Sequence, residues 1–566
     1  MDDEDPRTHA AGWVARAPVQ LSILLFVLLA GVALFPLPLI LAPLGFAFVV
    51  SLLVFGTVRW PQSFDRLFGV TVPISGWLFA SILVASCLVT GLVYTEQYAT
   101  EAVPFVALTS VCLPWVLALA HGGRLRRLAK QQTQLSMWLL TVSVTLAVAA
   151  GTVFGWSLPS VFEVVVFAGF VVIAAVVVVV FPLMFAQVRE RVDSDDTLDD
   201  PPFVSVLVPA YNESKYVGNC IESILASDYP ENRMEVIVVD DGSTDETYAE
   251  AAAYRGDSVS VYHRSNGGKH AALNFGLSCS RGEVVVAVDA DSVLESSAIR
   301  TAVARLESDH RLGALAGTVV IDNPDGIVGG VQALEYVLGI NTLRRAFSYL
   351  GTVMVVPGCL GVFRREAIAG VGGYDPDTVT EDFDLTVRLL KTGWRVELVE
   401  SVVYTEAPFS VADLLNQRLR WTRGNVQTLF KHRDVLSTPD YGFLHRFTFP
   451  LSVMSLLFVP FASIVVTWAI LLAILNGGLV GVAIVAGYFL LVVLLVAATA
   501  LDVADRHWRL IRYAPFHLLG YRQFLDFVVV LTAATLLRGT SVRWESVTRA
   551  RQQSTETASS RGPAND

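Results

Sequence analysis

The chain has 566 residues, of which 53% are hydrophobic and only 16% charged; a soluble globular protein carries about 25% charged residues, so the composition argues against a wholly soluble protein. A formal net charge of -11 argues against nucleic acid as a partner, because phosphate backbones are met by a basic face. Of the 41 basic residues only five are Lys (Lys130, Lys215, Lys269, Lys391 and Lys431), and this Arg-rich, acid-rich balance suits a halophilic setting.

Taken in chain order, the acidic N-terminus lacks the basic start of a cleavable signal, so the first apolar run reads as a retained anchor. Apolar runs of near-spanning length follow at about 19–36, 38–56, 73–94, 103–120, 135–155 and 161–186. The loops between them are asymmetric. Arg7 and Arg16, Arg59 and Arg66, then Arg124, Arg126, Arg127 and Lys130, then Arg189 and Arg191 fall on one side, whereas the stretches near 37, 95–102 and 156–160 hold no Lys or Arg. By the positive-inside rule this places the soluble stretch from about 190 to 435 in the cytoplasm. The expected organisation is a membrane region of about six transmembrane helices over 1–190, a cytoplasmic catalytic domain over 200–407, and amphipathic interface helices over 408–440. A second membrane region of two to three passes over 446–540 and a polar tail over 541–566 complete it. Clear runs lie at 446–474 and 477–501. The last, near 516–537, carries Arg522 and Asp526, which suits an interfacial or re-entrant segment as well as a pass.

Within the middle stretch, residues 203–210, 234–241, 259–264 and 283–291 are β-branched apolar runs, with helical patterns at 216–227 and 271–279 between them. Strand–helix alternation predicts a parallel, doubly wound α/β sheet with ligands at the carboxyl ends of its strands. Three strands end in polar clusters: Tyr211-Asn212-Glu213, Asp240-Asp241-Gly242-Ser243 and Asp289-Ala290-Asp291. Any one could be an ordinary turn, but three on one edge of a sheet point to a site. Asp289 and Asp291 are spaced to converge on Mg2+ or Mn2+, which take hard oxygen ligands and keep several waters. The Asn266-Gly267-Gly268-Lys269 turn opens a helix, and its backbone amides and ammonium suit a uridine or a phosphate. Thr380-Glu381-Asp382 precedes an amphipathic helix. It could cap that helix, or supply in Asp382 a general base for an acceptor hydroxyl. Gln417-Arg418-Leu419-Arg420-Trp421 could be an interfacial anchor, or could set Arg420 against a leaving diphosphate and Trp421 against a sugar ring. The five cysteines, Cys87, Cys112, Cys220, Cys279 and Cys359, are scattered with no metal-ligand spacing and read as reduced thiols.

In this order, PAYNE, VDDGSTD, NGGKHAALN, DAD, TED and QRLRW resemble the processive family-two glycosyltransferases, which include the synthases of poly-N-acetylglucosamine, hyaluronan, chitin and cellulose. The resemblance runs from about 200 to 436. It implies a cytoplasmic α/β GT-A (Rossmann-like) domain beside an α-helical transmembrane bundle, and inverting transfer from a UDP-sugar with Mg2+ or Mn2+. Carried over, Tyr211, Glu213, Asp240, Asp241, Lys269 and Asp289 bind the nucleotide sugar, and Asp289 and Asp291 hold the metal. Asp382 is the catalytic base, Gln417, Arg420 and Trp421 serve the acceptor and diphosphate, and the segment Val356-Pro357-Gly358-Cys359-Leu360-Gly361 lines the acceptor site. The expected partners are a UDP-sugar donor, a growing polysaccharide or lipid-linked acceptor, and membrane lipid. The favoured activity is polymerisation of UDP-GlcNAc coupled to export from the plasma membrane. The alternative is transfer of a single sugar to a lipid carrier or glycolipid.

Overall fold

The computed structural model describes residues 200–322, 324–453 and 508–538, with isolated positions between 183 and 198 and between 455 and 497. The six expected N-terminal passes, most of those at 446–474 and 477–501, and the polar tail lie outside the described residues. The chain divides into two compact units, Met1–Asp193 with Thr438–Trp508, and Ser194–Ser437 with Arg509–Asp566. The second carries all of the strands described below.

Its first half follows the sequence pattern. Strand β1 (Val204–Ala210) leads through helix α1 (Val217–Leu225) to β2 (Met234–Asp240), and helix α2 (Thr247–Ala252) leads to β3 (Val259–His263). Helix α3 (Lys269–Cys279) then returns the chain to β4 (Val284–Ala287). The three pairings β1–β2, β2–β3 and β1–β4 are parallel. In α1 the buried residues are Val217, Cys220, Ile221 and Ile224, spaced as one helical face should be. Each aliphatic side chain among them contributes about 1.5–3 kcal/mol when fully buried.

The remaining strands were not anticipated and make the sheet mixed. They are β5 (Val293–Leu294), β6 (Leu312–Ile321), β7 (Gly361–Arg364) and β8 (Arg395–Thr405). The spatial order is β3-β2-β1-β4-β7-β6-β8-β5. Strand β7 runs antiparallel to both β4 and β6, while β6 and β8 are parallel. The all-parallel expectation therefore holds only for the β3-β2-β1-β4 half. From β1 the chain moves outward to β2 and β3 and then crosses back to β4 on the other side. The carboxyl ends of β1 and β4 thus flank the point where strand order reverses, the usual ligand crevice of an open α/β sheet.

Between β4 and β8 lie helices α4 (Ala298–Ser308), α5 (Gly326–Glu335), α6 (Thr342–Tyr349), α7 (Arg365–Gly370) and α8 (Glu381–Lys391). A wider π turn, Tyr336–Asn341, joins α5 to α6. After β8, α9 (Val411–Lys431) opens on Ser410, whose hydroxyl accepts the Asp413 N–H, the capping geometry expected of a serine there. The C-terminal helix α10 spans Arg522–Leu537, and Leu519 and Gly520 just before it leave helical geometry. The stretch Trp508–Leu537 is apolar and long enough to cross a membrane. However, the 16 regular residues of α10 span about 24 Å, short of the roughly 30 Å hydrocarbon core.

Candidate active site

The ends of β1 and β2 are tied to each other by short polar bonds. Asn212 takes a left-handed φ of 55°, a conformation that Asn tolerates better than most residues. Its backbone N–H donates to Ser243 Oγ at 2.9 Å, and its Oδ1 accepts the Thr244 N–H at 2.8 Å. The Glu213 N–H donates to Thr247 Oγ1 at 2.7 Å. Tyr211 and Glu213 therefore project, half-buried, from a loop fixed against the β2 end.

The two aspartates ending β2 have separate structural partners. Asp240 is fully buried; its Oδ2 lies 2.5 Å from His263 Nδ1, and Oδ1 accepts from the Ser243 hydroxyl. Asp241 accepts the N–H groups of Gly267 (3.1 Å) and Gly268 (2.7 Å) and lies 3.3 Å from an Arg264 guanidinium nitrogen. Burial raises the Asp241 carboxyl, against the lowering effect of those amides and of Arg264. Asp241 thus shapes the glycine turn that opens α3. Gly268, at φ 90°, meets a backbone demand that an L-side chain satisfies poorly.

That turn delivers Lys269 to the end of β4. Its Nζ stands 2.6 Å from Asp289 Oδ1 and 3.5 Å from Glu381 Oε1. Burial works against the ammonium, but Asp289, Glu381 and Asp382 outweigh it and raise its pKa. Above this pair lies the 356–361 segment. A Cβ on Gly358 would sit 2.3 Å from Lys269 Nζ and 3.1 Å from each Asp289 carboxylate oxygen, so no larger residue fits without displacing them. Cys359 beside it is pushed up to about 12 by burial and by Asp289, which keeps the thiol neutral. The segment is anchored on α8, where the Val356 N–H donates to Thr386 Oγ1 at 3.0 Å and that hydroxyl donates to the Asp382 carbonyl at 2.7 Å.

Asp382 lies in the first turn of α8. Its carboxyl is raised to about 6, first by burial and then by Glu381, with Lys269 opposing. It is therefore ionised at neutral pH yet basic enough to take a proton, as a general base should be. The expected capping role is not filled by the Thr380 hydroxyl, which makes no capping hydrogen bond and instead meets Thr428 Oγ1 at 3.3 Å.

On α9, Gln417, Arg420 and Trp421 stand at i, i+3 and i+4 and so share one face. Gly424 continues that face, and a Cβ there would lie 2.4 Å from Thr380 Cγ2. That close approach packs the Gly424 turn of α9 against Thr380 at the start of α8. Gln417 Oε1 is buried with no hydrogen-bond partner among the described residues.

A buried cluster that sequence reasoning missed locks α8 and α9 together. Asp384 is fully buried, with Arg388 Nε at 2.7 Å, His432 Nε2 at 2.8 Å and Lys431 Nζ at 2.9 Å. Lys431 also reaches Asp375 and Asp377 at 3.2 and 3.3 Å. Only the Asp384–Arg388 spacing was visible in advance, as an i,i+4 pair. Glu381, considered only as a cap, proves to be a partner of Lys269.

The oxygen donors fit a hard divalent cation. No group of three or more His, Cys, Asp or Glu ligands gathers among the described residues, so an ion here would rely on one or two carboxylates, with phosphate and water completing its shell.

Part of the chain is similar to known proteins. Residues 205–372 match the family described as Glycosyl transferase family 2. The poly-beta-1,6-N-acetyl-D-glucosamine synthase of Staphylococcus aureus (strain COL) is 29% identical over 247 residues, 43% of this chain and 59% of that protein. The protein of the same name from Staphylococcus epidermidis is 31% identical over 268 residues, 47% of this chain and 62% of the relative. The chain thus spans about three fifths of the length of these relatives. Among solved structures, the mannosyltransferase PcManGT from Pyrobaculum calidifontis, in complex with GDP-Man and Mn2+, is similar at a TM-score of 0.49 and 23% identity, over 67% of this chain and 100% of that one.

Proposed function

We propose that residues 205–372, which match the family described as Glycosyl transferase family 2, belong to the GT-A-like α/β catalytic domain of a membrane-embedded, inverting polysaccharide synthase that polymerises a UDP-sugar, favoured as UDP-GlcNAc, into a β-linked chain coupled to export. The observation that carries this reading is the meeting of Asp289, Lys269, Glu381 and Asp382 beneath the Gly358 segment, with α9, which bears Gln417, Arg420 and Trp421, packed against the start of α8. The sugar and the polymer are supported by the names of the staphylococcal relatives. Integral membrane placement, with the catalytic unit cytoplasmic, is supported by the loop-charge asymmetry and by the apolar stretch Trp508–Leu537.

In this reading the nucleotide lies along the carboxyl ends of β1 and β2, with Tyr211 and Glu213 beside it and the Asp241-braced glycine turn beneath it. Asp241 acts through that turn, and Asp240 through the Ser243 and His263 contacts at the end of β2. Asp289 and Asp291 would hold Mg2+ or Mn2+, which supplies charge against the donor diphosphate; Lys269 and Arg420 add to it. Asp382 takes the proton of an acceptor hydroxyl as its oxygen attacks the anomeric carbon. The carbon–oxygen bond to the diphosphate breaks on the opposite face, UDP leaves with that electron pair, and the configuration inverts. Trp421 offers a ring on which the acceptor sugar stacks. A general base contributes about 10²–10⁴-fold, so Asp382 accounts for about 3–5 kcal/mol of the barrier reduction.

The test uses the full chain in nanodiscs at high salt with Mn2+, offered UDP-GlcNAc, UDP-glucose and UDP-glucuronate separately and together. UDP release is followed and any product is sized. Long product from UDP-GlcNAc alone is the expected result. UDP release with only a single sugar added to lipid would overturn polymerisation.

A further inference from the structure

Arg418, inside the QRLRW run, has no role in the mechanism above, yet it is the most buried residue of that run. It is 6% exposed. Its guanidinium forks onto Glu335, Nη2 to Oε2 at 2.6 Å and Nη1 to Oε1 at 3.2 Å. The Tyr521 hydroxyl donates to the same Oε2 at 2.6 Å. One helical turn further along α9, the Trp421 ring centroid lies 4.5 Å from Arg418 Cζ.

The three segments that meet at this carboxylate are remote in sequence. Glu335 ends α5, where the backbone widens into the Tyr336–Asn341 π turn, a feature that recurs at functional sites. Arg418 belongs to α9, and Tyr521 immediately precedes α10. A buried ion pair is weak evidence of stability, because an apolar set of similar volume often serves as well. What a planar guanidinium adds is geometry. Its edge is committed to a two-point fork while its face remains free for a ring, which an ammonium cannot reproduce.

We infer that Arg418 is a positioning residue for Trp421: Glu335 and Tyr521 fix the guanidinium, and its face fixes the indole at the angle in which an acceptor sugar stacks. The inference rests on the proposed reading that Trp421 meets the acceptor. It makes ring placement depend on the segment before α10 as well as on the catalytic domain.

The test compares wild type, Arg418→Lys, Tyr521→Phe, Trp421→Ala and the Arg418→Lys/Trp421→Ala double variant, all as full chains in nanodiscs. UDP release from UDP-GlcNAc is measured as a function of added N-acetylglucosamine oligosaccharide. Arg418→Lys should raise KM for the oligosaccharide about threefold to thirtyfold, the range spanned by cation–ring contacts from exposed to desolvated, and leave the donor KM unchanged. Tyr521→Phe should move it the same way by less, and Arg418→Lys should add nothing once Trp421 is Ala. Donor and oligosaccharide KM rising together, or additive effects in the double variant, would overturn the inference. If oligosaccharide fails to stimulate the wild type, the functional reading fails separately. The thermal midpoints of wild type, Arg418→Lys, Trp421→Ala and the double variant then decide the inference: non-additive shifts support Arg418–Trp421 positioning, and additive shifts refute it.

Discussion

Replacing Asp384 with Asn isolates the cluster that aligns α8 with α9. The carboxylate is fully buried, with nitrogens of Arg388, His432 and Lys431 at 2.7–2.9 Å. Removing one partner of a buried ion pair costs about 3–5 kcal/mol. Here Arg388 keeps the Val371 and Gly373 carbonyls, and Lys431 keeps Asp375 and Asp377, so the lower end, about 3 kcal/mol, is expected. In a unit of this size that corresponds to a fall in Tm of about 6–12 °C, measured by thermal unfolding of the catalytic unit in nanodiscs. The pH dependence identifies the cause. Burial raises the Asp384 carboxyl, but hydrogen bonds from His432, Lys431 and Arg388 prevail and hold it well below its ordinary value of 3.8. A depressed acid stabilises the fold fully above its unfolded pKa, and that stabilisation is lost as pH falls through the folded one. The gap between wild type and Asp384→Asn should therefore be constant from about pH 5 upward and narrow below about pH 4. A fall in Tm under about 2 °C, or a gap that widens in acid, would refute the proposed lock.

Three further outcomes follow from the same geometry. Because Asp382 is raised to about 6, kcat/KM should fall about tenfold per pH unit below that value as the base is protonated; a flat profile down to pH 4.5 would exclude it as the base. Gly358→Ala places a Cβ 2.3 Å from Lys269 Nζ, and displacing that ammonium should lower kcat/KM by about 10²-fold with little change in far-UV circular dichroism. Stripping divalent cations with EDTA should abolish UDP release, and Mn2+ or Mg2+ should restore it in wild type but not in Asp291→Asn, as expected where so few carboxylates hold the ion.

The sequence made the β3-β2-β1-β4 half of the sheet legible because its strands are β-branched runs that end in polar clusters, with amphipathic helices between them. Strands β6, β7 and β8 escaped. Gly361–Arg364 is too short to show a period, and β6 (LGALAGTVVI) is rich in Gly and Ala, where periodicity is weak. The candidate site was legible as a set of motifs because most of them sit at strand or helix ends, although Gln417–Trp421 lies inside α9. How the motifs meet was not. Lys269 reaching Glu381, Gly358 lying over Asp289, and Asp384 gathering His432 and Lys431 are long-range contacts that no local pattern encodes. The role of Asp241 differs from that of a free ligand for the same reason, since its partners are amides 26 and 27 residues away.

The most direct test of the central claim is transfer by Asp382→Asn. Wild type and variant would be compared in nanodiscs with UDP-GlcNAc and Mn2+, following UDP release and product size, with UDP binding as the control for an intact nucleotide site. The account predicts a fall in kcat of about 10²–10⁴-fold, no long product, and unchanged UDP affinity. Polymer formed by Asp382→Asn at a rate within about tenfold of wild type would contradict it.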